Sequence, residues 1–245
     1  MTKPWHWLVA GLLVAGLVVL SNYPVYWVQG KLAEATGGRL RVLHSDGTVW
    51  GGQAVLGLSD GGRVYTLPDA LEWRLSLFEQ DKPFGIVASH PRLSAPLHLG
   101  LNSEGISLGN GELRVPAAWL SALGAPFNTI RPEGLLKVTW KEMGLMDPDV
   151  NVQVLWQDAQ SALASIRPLG EYRIELTGKP SQRLDLALST LNGALKMQGK
   201  GSMVPGSRMN FTGEAWSDAN NKAALTGLLS QMGRLEGERY KLGVF

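Results

Sequence analysis

Apolar positions divide this chain into one unbroken run and a long stretch of alternation. From Trp5 to Val28 the residues read WHWLVAGLLVAGLVVLSNYPVYWV, without Asp, Glu, Lys or Arg, and Leu8 to Leu20 are Leu, Val, Ala and Gly only. As a helix rising 1.5 Å per residue, the run is about 36 Å long, enough to cross a hydrocarbon core of about 30 Å. Trp5, Trp7, Tyr23, Tyr26 and Trp27 crowd its two ends, as an interfacial aromatic belt does. The pattern predicts an uncleaved membrane anchor. A signal peptide is the competing reading, but Asn22, Tyr23 and Pro24 stand where a peptidase needs small residues. The short head and long tail favour a cytoplasmic amino end, with Lys31, Arg39 and Arg41 as the counterweight beyond the run.

Helix is expected to continue from Tyr26 to Thr36 and to stop at Gly37-Gly38. After that the period changes to two. Leu40, Val42 and His44 alternate up to an expected tight turn at Asp46-Gly47, and a second strand follows through Val49 and Trp50. Further alternating segments run over Gln53 to Ser59, Ala70 to Leu77, Ile86 to Ser89, Leu97 to Leu101 and Ile106 to Leu108. They continue over Leu136 to Trp140, Val150 to Trp156, Tyr172 to Leu176, Leu184 to Leu188, Leu195 to Met197 and Met209 to Phe211. Short helices are expected after Pro116, over Ala159 to Ile166, and over Ser217 to Gly233, where Leu225, Leu228, Leu229 and Met232 recur at helical spacing. The fold class is therefore mainly β: a single N-terminal transmembrane helix, then a curved antiparallel sheet or open β-sandwich of consecutive hairpins with two or three short helices. The implied domains are a cytoplasmic head at 1–4, the anchor at 5–28 and a β-rich domain at 29–245, with a candidate division into two similar halves near 116–132.

Composition narrows the functional classes. The 30 Gly and 13 Pro suit many turns and bulges, not long helices. A net charge of +2 gives no electrostatic case for nucleic acid. With no Cys, thiol catalysis and zinc-thiolate sites are excluded. There is no P-loop, and Gly109-Asn110-Gly111 and Gly199-Lys200-Gly201 lie between strands, where glycines serve hairpins or bulges. The four histidines, His6, His44, His90 and His98, show no metal-ligand spacing. His44-Ser45-Asp46 places a hydroxyl between a base and an acid, but adjacency in sequence does not make a triad, and an Asp before Gly is a common turn residue. No catalytic, cofactor-binding or metal-binding residue is expected. Trp50, beside a glycine pair, is the expected packing post among nine Trp.

One set of residues resembles a known family. Ser45-Asp46-Gly47-Thr48-Val49-Trp50-Gly51-Gly52-Gln53-Ala54 resembles the Gly-Thr-x-Trp-x-Gly-x-Ala signature of type II secretion system protein N. Further along, Leu71-Glu72-Trp73-Arg74-Leu75, Gly134-Leu135-Leu136 with Trp140, Leu169-Gly170-Glu171-Tyr172-Arg173, and Leu188 to Leu195 with Gly193 are similar to later segments of that family. The resemblance implies a non-catalytic, single-pass inner-membrane component of the machinery that exports folded proteins from the periplasm. Its implied partners are other inner-membrane and outer-membrane-channel components, together with membrane lipid. The Gly-rich alternating strands also resemble those of AsmA-like lipid-handling envelope proteins, which implies lipid binding as a second functional class.

Overall fold

The computed structural model describes residues 22–79, 82–102, 105–124, 127–146, 149–207 and 210–242. The head and most of the apolar run, with Trp5 and Trp7, lie outside the described residues. No helix among those described is long and apolar enough to cross a membrane. At the described end of the run, residues 22–25 make a turn and helix α1 (Tyr26–Ala35) follows. Gly37 and Gly38 then adopt φ of 60° and 75°, a left-handed conformation that ends a helix cheaply only for glycine.

The alternating segments become two antiparallel sheets. The first holds β1 (Leu40–Thr48), β2 (Gly51–Ser59), β3 (Val64–Thr66), β4 (Leu71–Glu79), β5 (Lys82–Ser89), β6 (Leu97–Asn102), β7 (Gly105–Leu108) and β10 (Met143–Gly144). Its order is β1-β2-β4-β5-β6-β7-β10, with β3 beside β2. The second holds β8 (Gly111–Pro116), β9 (Pro132–Trp140), β11 (Val150–Ser161), β12 (Gly170–Lys179), β13 (Arg183–Gly193), β14 (Leu195–Met203), β15 (Asn210–Ser217), β16 (Arg234–Glu236) and β17 (Arg239–Leu242). Its order is β16-β17-β15-β14-β13-β12-β11-β9-β8. Most pairings join sequence neighbours, as a chain of hairpins does.

The sheets meet at a corner. β7 passes into β8 through Gly109 and Asn110, while β9 passes into β10 through Lys141 and Glu142, so one two-stranded ribbon belongs to both sheets. The ribbon keeps one register across the bend, with Leu108 opposite Met143 before it and Gly111 opposite Trp140 after it. Trp140 fastens the corner by donating its indole N–H to Gly109 O at 2.9 Å, and Glu142 N donates to Asn110 Oδ1 at 2.8 Å. The segment between β5 and β6 covers the outer edge of β8, with Ser94 N to Glu112 O at 3.0 Å and Arg114 N to Arg92 O at 2.9 Å.

The core lies on one face of the second sheet. Leu136, Trp156, Tyr172, Leu195, Met197, Ala215 and Leu242 form it with Leu225, Leu228 and Leu229 of α3 (Lys222–Met232). A 3-10 helix over Ala117–Leu123 and the short α2 (Phe127–Ile130) add Ala117 and Ile130. From the first sheet, Leu67 is buried in the same cluster and Leu56 packs against it. Each fully buried Leu is worth about 1.5–3 kcal/mol, so this shared cluster couples the sheets.

Several local expectations are corrected. The first hairpin turns at Val49-Trp50, and Asp46-Gly47 stays within β1 opposite Gln53 and Gly52. Ala159 to Ser161 is strand, not helix: Ala159 pairs with Gly170 and is wholly buried. The helix after Pro116 is of the 3-10 type, and the final helix is followed by β16 and β17, where no strand is expected from the sequence.

Candidate functional site

The first cluster of motif residues grips the chain as it leaves the apolar run. Gly47 has φ of 97°, and a methyl group there would stand 2.5 Å from Gly51 O. At Gly52 it would stand 2.3 Å from Asp46 O and 2.9 Å from the Trp73 ring. These glycines let β1 and β2 approach closely, and Gly52 leaves room for the Trp73 indole. Trp73 Nε1 donates to Thr48 O at 3.1 Å, and Thr48 Oγ1 accepts from Trp50 N at 3.3 Å. Trp50 meets Phe84 edge to face at 6.4 Å between ring centroids, and Ala54 is buried opposite Leu71. The packing post expected at Trp50 is thus shared: Trp50 supplies a ring contact, and Trp73 supplies the indole bond that fastens the hairpin.

The finished turn then holds the incoming segment. Val49 N donates to Tyr23 O at 3.1 Å, Val25 N to Gly47 O at 3.4 Å, and Pro24 bridges Thr48. Gln29 of α1 donates to Ser45 Oγ at 2.5 Å. Tyr23 is 38% exposed at this end of the sheet, and Tyr26 and Trp27 lie in α1.

The second cluster stands apart, in the second sheet. Gly170 pairs with Gly193, and a methyl on Gly193 would meet Gly170 Cα at 2.2 Å and Leu169 O at 2.3 Å. Leu169, 2% exposed, exchanges backbone bonds with Ala159 and Leu195. Tyr172 is fully buried, stacks obliquely on Trp156 at 5.6 Å, and donates its hydroxyl to Leu195 O at 2.9 Å. Burial pushes the Tyr172 phenol above its ordinary pKa. Its hydroxyl ties β12 to the start of β14.

Two arrangements escaped the sequence. One is the corner, where a methyl on Gly111 would stand 2.1 Å from the Trp140 ring; its only trace is a glycine pair around Asn110. The other lies on β15 and β17, where Glu214 takes Arg239 at 2.6 Å and also Lys241, and Arg239 covers Trp216 at 4.4 Å. Lys241 first and Arg239 second hold the Glu214 carboxyl down at about 2.

The adjacent His44, Ser45 and Asp46 do not form a triad. His44 Nε2 lies 3.0 Å from Asp46 Oδ2, both side chains well exposed, while the Ser45 hydroxyl is engaged by α1. Among the described residues, no group of three or more His, Asp or Glu could hold a metal ion. A shallow depression of about 490 Å3 on the polar face of β12–β15 is lined by Glu175, Asp185, Lys200 and Thr212 among others, with Arg183 paired to Asp185 at 2.7 Å. The geometry is that of a scaffold: two clamped glycine crossings and a fastened corner.

No curated protein and no solved structure matches the chain. The family model for type II secretion system (T2SS) protein N matches residues 38–243, a span that takes in both motif clusters, the corner and every strand described above, and the chain therefore belongs to that family.

Proposed function

We propose that this chain is a non-catalytic inner-membrane component of the type II secretion system, tethered by the run from Trp5 and carrying its β-rich body in the periplasm. Family membership supports the secretion role. The observation that carries the tether is the hairpin clamp: the last part of the apolar run, at Tyr23, Pro24 and Val25, is held by the signature turn. If the run spans the bilayer, this grip keeps the domain close to it. The chain then works by docking with other components of the apparatus. Site-specific photo-crosslinking in cells, from positions around Trp50 and Trp119, tests this. Adducts with secretion components are expected, and their absence alongside a failure to co-purify with the complex in mild detergent would overturn the reading.

A second reading, lipid handling, has one observation in its favour. The apolar face of β6 opens along its length, from half-buried Leu97 and Leu99 to Leu101 at 46% exposure. On β13, Leu184 is buried and Leu186 and Leu188 are half-buried. Native mass spectrometry of the detergent-solubilised full chain decides: co-purifying lipid of defined mass supports lipid handling, and its absence removes it.

A further inference from the structure

We infer that one end of the first sheet is a membrane-seating surface, resting in the headgroup layer of the bilayer that the tether reading assigns to the apolar run. Strand directions collect at this end the β1–β2 turn, the start of β5, the end of β6, the start of β7 and the residues after β10. Side chains there form a row. Trp50 packs on Phe84, Phe84 lies opposite Leu101, Leu101 lies opposite Ile106, and Leu145 N donates to Ile106 O at 2.7 Å. Met146 follows, close to Gly105. The row crosses from β2 to β10 by five strand spacings, roughly 24 Å.

Its two ends differ. Trp50 and Phe84 are half-buried, whereas Leu101, Ile106 and Leu145 are 46%, 45% and 44% exposed, and Met146, beside the row at Gly105, is 82% exposed. Isolated exposed apolar residues are ordinary, but several in register at one end of a sheet make a surface that water does not favour.

What covers this row follows from where the chain enters. Tyr23 is bonded to Val49 at the same end, and Leu20, the last residue of the wholly apolar stretch, is three residues away. Three residues reach at most about 11 Å fully extended. The polar headgroup layer is about 5–8 Å deep on each side of the hydrocarbon core. A sheet end held on so short a lead lies against the headgroups whenever the run spans the bilayer. Its aromatic start, Tyr23, Trp50 and Phe84, has the composition that interfaces favour, and its aliphatic end supplies apolar area for shallow insertion.

The natural absence of cysteine makes the test direct. The full-length chain is reconstituted in liposomes of phosphatidylethanolamine and phosphatidylglycerol, with a nitroxide on Ile106→Cys, on Met146→Cys, or on Ser94→Cys in the exposed loop at the opposite end of the sheet. Labels at 106 and 146 are expected to be relaxed by oxygen and shielded from a soluble nickel complex, with an accessibility ratio severalfold above that at 94. If 106 and 146 match 94 in vesicles from which alkaline carbonate does not release the protein, the seating surface is wrong and the tether stands. Release by carbonate overturns the tether and the seat together.

Discussion

A methyl group at Gly193 has nowhere to go: it would overlap Gly170 Cα and Leu169 O, and φ at this position is 122°. Gly193→Ala is therefore expected to cost at least about 1–3 kcal/mol from backbone strain alone. Tyr172→Phe keeps the ring but leaves Leu195 O without its hydroxyl donor in a buried site, a loss of about 1–3 kcal/mol. Urea unfolding of both variants should show Gly193→Ala as the more severe, and an unchanged midpoint for either would remove the crossing as a stabilising device. Glu214 makes a pH prediction of definite sign. Its folded pKa of about 2 lies below the ordinary 4.5, so its ion pairs contribute stability that is present above about 4.5 and is lost as pH falls towards 2. Glu214→Gln should lower the melting temperature at neutral pH and flatten its fall across that window.

At the scale of elements, the N-terminal hairpin depends on one indole. Trp73→Phe preserves most of the buried ring while deleting the bond to Thr48 O, worth about 0.5–1.5 kcal/mol. Amide exchange at Val49 and Val25, whose bonds hold residues 23–25, should quicken severalfold, and exchange around Tyr172 should not change. What could be foreseen at this scale follows from period. Strands such as Val150 to Trp156 announce themselves because an apolar residue must return every second position to reach the core. β10, with two residues, and β16, with three exposed ones, are too short to show any period. Ala159 was lost to a helical pattern because Asp158, at φ 47°, interrupts β11 where its register shifts, breaking the alternation. Asp46-Gly47 has the composition of a hairpin turn, but the close approach of Gly51 and Gly52 uses Gly47 as a contact point and pushes the turn three residues on. The motif glycines were legible as a set; the Trp73 and Trp140 bonds were not, since each joins residues about 25 or more positions apart.

For the whole molecule, the two sheets are expected to lose structure together. Leu67 follows β3 of the first sheet, yet it is 5% exposed within the core of the second. Leu67→Ala should cost about 2–5 kcal/mol, and the loss should be felt by amides of β9 and β11 as well as β2. Protection lost only around β2 would mean that the sheets are independent. The corner also dictates an order in time. Nearly every strand finds its partner within a few residues, so pairing can follow the chain as it emerges, and local contacts form fast. β7 waits longest among the exceptions, which include β8 and β15: Leu108 waits for Met143, and until β8, the two helical turns and β9 have been delivered, one flank of the first sheet has open backbone donors and acceptors. A growing chain thus exposes a sticky edge for as long as those intervening residues take to arrive, and the ribbon that returns across the corner is what ends that vulnerable interval.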